Sequence, residues 1–245
     1  MTTNVVDTAA CILASDSRWS FPVLSMTGNT HAWIYVDDAD FDKIEVGKDY
    51  SFIFAGSSTL MEEWKTWHRQ PLMSRPRVED GFSLCFVNMA TRNVEFEHGQ
   101  RIVGSDHRFA GTGAYYAYQC WIINKSAKKA VESAYRDDIL SGGTVKYLDL
   151  NTKNNNINAA NVSKSINQKA AEKGLVMYMN QSAPKGIPLA AAAAGDPLVK
   201  EALKKVASGS VAAQAPAGQD KIVWTDLDIQ KLDAALARCF GGKKQ

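Results

Sequence analysis

The stretch that decides the fold is residues 2–18, which read TTNVVDTAACILASDSR. Two short runs rich in apolar and β-branched residues, 2–6 and 10–14, surround the turn-forming sequence Asp7-Thr8-Ala9, and this pattern predicts an antiparallel hairpin. Such a hairpin lays the first residue of one strand beside the end of its partner strand. We therefore expect Thr2 to lie close to Asp16, which follows the second strand.

The rest of the first 175 residues alternates between strand and helix patterns. Strands are predicted for 32–36, 41–46, 50–54, 107–111 and 144–150, with a hairpin of 82–88 and 93–98. Helices are predicted for 59–69, which begins with a capping-box pattern, for 114–123, for 163–173 and for a segment capped by Ser126. This order fits an α+β architecture in which helices pack on sheets. It disfavours a dinucleotide-binding fold, because the regular βαβ alternation is missing.

The last third of the chain has a different composition. Ala, Gly, Pro and Ser dominate much of it, while 197–207 and 226–240 keep helical spacing and Thr225 can cap the second of these helices. The sequence thus predicts a main domain over 1–175 and, over 176–245, an Ala/Pro/Gly-rich linker with C-terminal helices.

Composition excludes several classes of protein. The formal net charge of the 245-residue chain is only +2, which is too small to indicate nucleic acid or an anionic membrane as a partner. The four cysteines are far apart and the histidines lack ligand spacing, so we expect no metal site. No secretory signal or membrane span is visible, and a reducing, cytoplasmic compartment is the default expectation.

Four residues offer the chemistry of an N-terminal nucleophile. A threonine hydroxyl is weakly nucleophilic unless a base takes its proton, and a free α-amine with a pKa of about 8 can be that base. A nearby ammonium keeps such an amine unprotonated, a carboxylate holds the ammonium, and a backbone N–H stabilises the oxyanion. Thr2 after excision of Met1, Lys43, Asp16 and Gly56 supply these groups.

The same residues lie in motifs that resemble the proteasome β subunits and their bacterial relatives. Thr2-Thr3 followed by Leu13–Arg18 resembles the start of that family, and the context and spacing of Lys43 and Gly56 resemble its lysine and oxyanion glycine. The sequence YRDDILSGG at 135–143 resembles the family's Tyr-Arg-Asp-x-x-Ser-Gly-Gly segment. Gly111-Thr112-Gly113 resembles its Gly-Ser-Gly.

The resemblance implies a fold and a set of roles. The fold is the four-layer αββα sandwich of N-terminal nucleophile hydrolases, here with a C-terminal helical extension. Thr2 would be the nucleophile, with Lys43, Asp16 and Gly56 in the roles given above. Asp138 and Ser141 would orient the N-terminus, and Thr112 would replace a supporting serine.

The resemblance also implies an activity and partners. We expect a threonine peptidase that cleaves peptides or unfolded proteins within a homo-oligomeric ring, without a cofactor, and an ATP-dependent unfoldase is a partner that the family allows. Trp19, Ser20 and Phe54 flank the motifs and are candidates for a pocket that holds an apolar substrate side chain, although core packing is the alternative for Trp19 and Phe54.

Two other functions stay open at this point. One is a catalytically inert ring-forming homologue that acts as a structural or binding platform. The other is a non-peptidase amidase that uses the same N-terminal nucleophile. Retention of Met1 would favour the inert protein, because the α-amine of Thr2 would then be blocked.

Overall fold

The computed structural model describes residues 2–70, 74–158, 162–179, 186–217 and 222–241, and within these ranges it is a mixed α/β protein. Its strands are β1 (Asn4–Asp7), β2 (Ile12–Ser15), β3 (Trp19–Leu24), β4 (Thr30–Val36), β5 (Ile44–Glu45), β6 (Tyr50–Ser57), β7 (Ser83–Asn88), β8 (Val94–His98), β9 (Ile102–Val103), β10 (His107–Ala110), β11 (Lys146–Asp149), β12 (Leu175–Tyr178), β13 (Ile187–Pro188) and β14 (Gln214–Ala215). Its helices are α1 (Ser58–Arg69), α2 (Ala114–Asn124), α3 (Ala127–Ala134), α4 (Lys164–Lys173), α5 (Leu189–Gly195), α6 (Pro197–Ser208) and α7 (Asp226–Phe240).

The first hairpin forms as the sequence predicts and belongs to the smaller sheet. This antiparallel sheet has the order β11-β2-β1-β10-β9. In the hairpin, Asn4 lies opposite Ser15 and Val6 lies opposite Leu13. Both strands begin two residues later than predicted. The late start of β2 follows from the turn over residues 8–11, where Cys11 has a φ of 57°.

The larger sheet has the order β13-β12-β4-β3-β14-β6-β7-β8, with β5 paired to β6. The predicted hairpin of β7 and β8 is present, as is the long strand β6. Strands β3 and β6 are not direct neighbours, since the two residues of β14 lie between them. All these pairings are antiparallel.

The alternation of side chains along β1 shows how the smaller sheet is buried on both faces. Val5 belongs to an apolar cluster with Trp121 and Ala130 of helices α2 and α3. Its neighbour Val6 belongs to a different cluster, which contains Ile53 of the larger sheet. The hairpin is therefore covered by helices on one side and by the second sheet on the other.

A third cluster joins the larger sheet to the remaining helices. It contains Phe52 of β6, Trp64 of α1, Val199 of α6 and Leu232 of α7. Residues on both sides of the expected boundary at 175 thus share one hydrophobic core, and β12 pairs directly with β4. Among the described residues, no helix is long and apolar enough to cross a bilayer.

The ends of two helices test the capping predictions. Helix α1 begins at Ser58, and the capping box expected from Thr59 and Glu62 is wrong, because Glu62 instead accepts hydrogen bonds from the backbone and hydroxyl of Ser163. Helix α7 begins as predicted: the Thr225 hydroxyl accepts from the Asp228 backbone N–H, and the Asp228 carboxylate accepts from the Thr225 N–H.

Candidate active site at the end of the first hairpin

The carboxylate of Asp16 fixes the start of the chain. The Thr3 carbonyl accepts from the backbone N–H of Asp16 at 3.1 Å, and the Thr3 N–H donates to Asp16 Oδ1 at 2.8 Å. The hydroxyl of Thr2 donates to the same Oδ1 at 2.5 Å. All three residues are fully buried, so the expected proximity of Thr2 and Asp16 is present.

Lys43 reaches the same carboxylate oxygen from the segment before β5. Its Nζ donates to Asp16 Oδ1 and to the carbonyl of Arg18, each at 2.8 Å. The ammonium also lies 5.4 Å from the centre of the Trp19 ring, within reach of a cation–π interaction. Burial lowers the pKa of Lys43, and the negative charge of Asp16 opposes that shift.

The second carboxylate oxygen of Asp16 binds the glycine-rich loop. Asp16 Oδ2 accepts from the backbone N–H groups of Arg18 at 3.2 Å and Gly142 at 3.3 Å. The Gly142 carbonyl in turn accepts from the Ser17 N–H at 3.1 Å. Gly143 adopts a φ of +75°, a left-handed conformation that glycine reaches without a steric cost. The predicted loop 141–143 therefore closes around Asp16.

A second hydroxyl–carboxylate cluster lies beside the first. Asp138 Oδ2 accepts from the hydroxyls of Ser141 at 2.6 Å and Thr112 at 2.7 Å. The Ser141 hydroxyl is also 2.7 Å from the hydroxyl of Thr3. The structure thus brings Thr112, Asp138 and Ser141 together, as the sequence motifs indicate, but the side chain that they contact is Thr3 rather than Thr2.

Thr3 is a site residue that the sequence reasoning did not identify. Its backbone N–H binds Asp16 while its hydroxyl binds Ser141, so it links the two carboxylate clusters. The signal that could have found it is the alternation of side chains in an extended segment, which sends Thr2 and Thr3 to opposite sides.

Two glycines allow the close approach of backbone to the first residues. A methyl group at Gly111 would collide with the carbonyl of Thr2, and one at Gly113 would collide with the hydroxyl of Thr3. The Gly113 N–H donates to the Thr2 carbonyl at 3.3 Å. The glycines of the 111–113 motif therefore serve a packing need at the site.

Gly56 lies near the end of β6 with a φ of +127°, a conformation that favours glycine. It pairs with Ala215 of β14. Of the candidate pocket residues, Trp19 and Phe54 are fully buried in the core of the larger sheet and present no surface to solvent. The hydroxyl of Ser20 donates to the Gln214 carbonyl at 3.1 Å, so Ser20 lies against β14.

The site contains carboxylates, hydroxyls and a lysine rather than a metal-binding set. In the ranges that the structure describes, no group of three or more His, Cys, Asp or Glu side chains could hold a metal ion. Chemically, the arrangement can hold a hydroxyl beside a lysine–carboxylate pair out of contact with bulk water, where electrostatic interactions are stronger than in solution.

Comparison with known proteins gives matches to solved structures. No protein-family model and no curated protein matches the chain. The chain is similar to Thiobacillus denitrificans BPH in complex with epoxomicin, at 15% identity and a TM-score of 0.39 over 60% of this chain and 97% of that chain. It is also similar to eukaryotic HslV from Trypanosoma brucei, at 16% identity and a TM-score of 0.34 over 59% of this chain and 97% of that one.

Both matched proteins are proteasome-like threonine peptidases, the class that the sequence motifs resemble. At these TM-scores neither likeness assigns a role to a residue of this chain.

Proposed function

We propose that this chain is a threonine peptidase whose nucleophile is the hydroxyl of Thr2, made competent by removal of Met1. The observation that carries the proposal is the sharing of one carboxylate oxygen: Asp16 Oδ1 accepts from Thr2 Oγ1 at 2.5 Å and from Lys43 Nζ at 2.8 Å. A fully buried lysine and carboxylate beside a buried hydroxyl are costly to maintain for packing alone.

In the proposed reaction the α-amine of Thr2 takes the proton of its own hydroxyl, through a water molecule, as Oγ1 attacks the peptide carbonyl. The positive charge of Lys43 disfavours protonation of that amine and keeps it basic near neutral pH. The N–H of Gly56 stabilises the oxyanion. Collapse of the intermediate releases the amine product with the proton and leaves an ester on Thr2, which water then hydrolyses.

Residues 1–175 carry the proposed catalytic groups, and Asp138, Ser141 and Thr112 act through Thr3 to fix the direction in which the chain enters the site. Three apolar clusters support a four-layer αββα sandwich of the N-terminal nucleophile type. One lies between α2, α3 and the smaller sheet, one between the two sheets, and one between the larger sheet and the remaining helices. Within 176–245, the described segment 213–217 lies against Gly56 and Gly111.

We also propose a homo-oligomer, in keeping with the ring expected from the sequence. Helix α2 supports this, because Tyr115, Ile122 and Ile123 are 57%, 46% and 84% exposed, and apolar side chains that share a helix face favour association. Peptides or unfolded proteins are the proposed substrates, an ATP-dependent unfoldase is a proposed partner, and the cytoplasm is the proposed compartment.

The proposal is tested by intact mass and by a peptide epoxyketone, a reagent that captures both the hydroxyl and the amine of an N-terminal threonine. We expect the purified chain to lack Met1 and to gain one probe. The Thr2→Ser variant should still react, and the Thr2→Ala variant and a chain with a blocking N-terminal extension should not. Peptide hydrolysis that persists in Thr2→Ala would reject the mechanism.

Two other outcomes would select the alternatives. Retention of Met1 without labelling would identify the inert homologue. Hydrolysis of small acylated amides, but not of peptides, by the unmodified chain would identify the amidase.

A further inference from the structure

An extended segment of this chain lies in the gap between β3 and β6. Residues 213–217, the insert segment, include β14, whose Gln214 is opposite both Ser20 of β3 and Ser57 of β6. The insert segment therefore pairs with two strand edges at once. An added strand that pairs with exposed strand edges is one of the general ways in which proteins bind extended peptides.

The register of the pairing fixes which carbonyl faces Gly56. Ser58 N–H donates to the Ala213 carbonyl at 2.9 Å, so this opposite pair is a hydrogen-bonding one. Hydrogen-bonding and non-hydrogen-bonding pairs alternate along an antiparallel ladder. Two residues further on, Ala215 and Gly56 therefore form the next hydrogen-bonding pair, in which the Gly56 N–H is directed at the Ala215 carbonyl.

The insert segment continues past the start of the chain. The Gly111 N–H donates to the Ala217 carbonyl at 3.1 Å, and Gly111 is packed so closely on Thr2 that a side chain there would strike the Thr2 carbonyl. The insert segment thus runs from the proposed oxyanion donor to the immediate neighbourhood of the proposed nucleophile.

The side chains of the insert segment fit this position. Ala213, Ala215 and Ala217 are buried, whereas the residues between them are half-buried. Pro216 follows the carbonyl that faces Gly56 and supplies no N–H to a ladder. A cavity of about 710 Å³ lies elsewhere, beside Glu45 and His68.

We propose that the gap between β3 and β6 is a groove for extended peptides with small side chains at alternate positions, and that the insert segment occupies it as an intramolecular substrate mimic. A substrate enters only when this segment leaves. The reading of the groove as the substrate site rests on the proposed function, but occupation of the groove can be measured without catalysis.

The first test displaces the insert segment by charge. The Ala213→Asp/Ala215→Asp variant places carboxylates at two of its three buried positions, and the Ala212→Asp/Gln214→Asp variant places them at half-buried neighbours as a matched control. In a Thr2→Ala background, binding of the fluorescent peptide VAAQAPA is followed by anisotropy. We expect binding at least 10-fold tighter by the first variant than by the control or the parent. Equal binding by all three, or by none, would overturn the proposal.

The second test locks the insert segment and does not depend on a displaced fold. Gln214 and Ser57 are an opposite pair of the non-hydrogen-bonding kind, in which side chains lie close enough for a disulfide. In a Gln214→Cys/Ser57→Cys variant with native Thr2, we expect oxidation to slow epoxyketone labelling at least 10-fold and reduction to restore it. Equal labelling in both states would contradict the proposal.

The two readouts separate this inference from the proposed function. Peptide binding to the Ala213→Asp/Ala215→Asp variant in the Thr2→Ala background, without any labelling of the same variant that keeps Thr2, would support the occupied groove and reject the peptidase. Labelling of Thr2 that is equally fast in the parent and in the Ala213→Asp/Ala215→Asp variant with native Thr2 would support the peptidase and reject the occupied groove.

Discussion

Two buried lysines meet at the segment 41–43 before β5: Lys43 belongs to it, Lys65 of helix α1 donates to its Asp42 carbonyl, and their surroundings differ. Lys43 and Lys65 are each about 1% exposed, and each lies over an aromatic ring, Trp19 and Phe41 respectively. Lys43 donates to a carboxylate that also binds the Thr2 hydroxyl. Lys65, on helix α1, donates to the backbone carbonyls of Asp42 and Ile44.

The difference shows how the same buried charge can serve chemistry or structure. Burial lowers the pKa of both lysines. At Lys43 the lowering is opposed by direct contact with Asp16, so the cation is held next to a hydroxyl. At Lys65 the opposing charges of Glu45 and Asp42 leave a pKa of about 8, and its carbonyl contacts join helix α1 to the chain before β6.

The largest expected effect comes from removing the charge beside Thr2. Lys43→Met should lower the rate of Thr2 labelling and of peptide hydrolysis on the order of 10²–10⁴-fold, the range for loss of proton-transfer catalysis. It should also cost about 3–5 kcal/mol of stability, because the carboxylate of Asp16 stays buried without its cation. The rate is measured per folded molecule, at a temperature where circular dichroism shows the variant to be native.

Lys65→Met is the matched control for that change. It removes an equally buried ammonium that donates to the carbonyls of Asp42 and Ile44, so the labelling rate should stay within about threefold of the parent. Equal losses of rate in the two variants would contradict the distinction between a catalytic and a structural lysine.

The second expected effect is that the free energy of unfolding depends on pH through the titration of Lys65. Its pKa falls from the ordinary 10.5 to about 8 on folding, so between these pH values the unfolded chain binds more protons than the folded one. The free energy of unfolding should therefore rise with pH in this window, by about 3 kcal/mol in total. Below pH 8 the destabilising contribution of the buried cation is fully present.

Urea denaturation gives the free energy of unfolding of the parent and of Lys65→Met from below pH 8 to pH 10.5. The difference between the two proteins at each pH measures the contribution of Lys65. Lys43 and the other titrating groups are common to both proteins and largely cancel. The parent should gain stability relative to the variant as the pH rises, and parallel curves would show that Lys65 does not titrate in this window.

The two lysines also show which parts of the site the sequence could predict. Asp16 was expected beside Thr2 because a hairpin brings them together, and Lys43 was expected from its resemblance to a known motif. The burial of Lys65 could not be predicted, since lysine in a helix is almost always exposed and the partners seen here, the carbonyls of Asp42 and Ile44, are far from it along the chain.

In the fold, too, elements that depend on partners far along the chain could not be predicted from local sequence. Long periodic segments such as α7 and the β7–β8 hairpin were predicted, because their patterns repeat over several turns or residue pairs. Strand β3 contains Pro22, which cannot donate to a ladder. Strand β14 has two residues in an Ala- and Pro-rich stretch of low strand propensity. Both depend on partners far along the chain, so local pattern did not predict them.

The smallest expected effect is the loss of stability when one hydroxyl donor to a buried carboxylate is removed. It compares Asp138, which is held by hydroxyl groups, with Asp16, which is held by a lysine. Asp138 Oδ2 accepts from Thr112 and Ser141 at 2.7 and 2.6 Å. Thr112→Val keeps the shape of the side chain but removes one donor, and it should lower the free energy of unfolding by about 1–2 kcal/mol. Thr112→Ser keeps the donor, so its cost should be below about 1 kcal/mol, the loss of one partly buried methyl group.

Because the hydrogen bonds of Asp138 lead through Ser141 to Thr3 rather than directly to the Thr2 hydroxyl, Thr112→Val should slow Thr2 labelling far less than Lys43→Met does. Comparison of the two variants by urea denaturation and labelling rate tests whether hydroxyl donors position the N-terminus while the lysine supplies the charge. A loss of labelling in Thr112→Val as large as that in Lys43→Met would mean that Asp138 is part of the proton pathway itself.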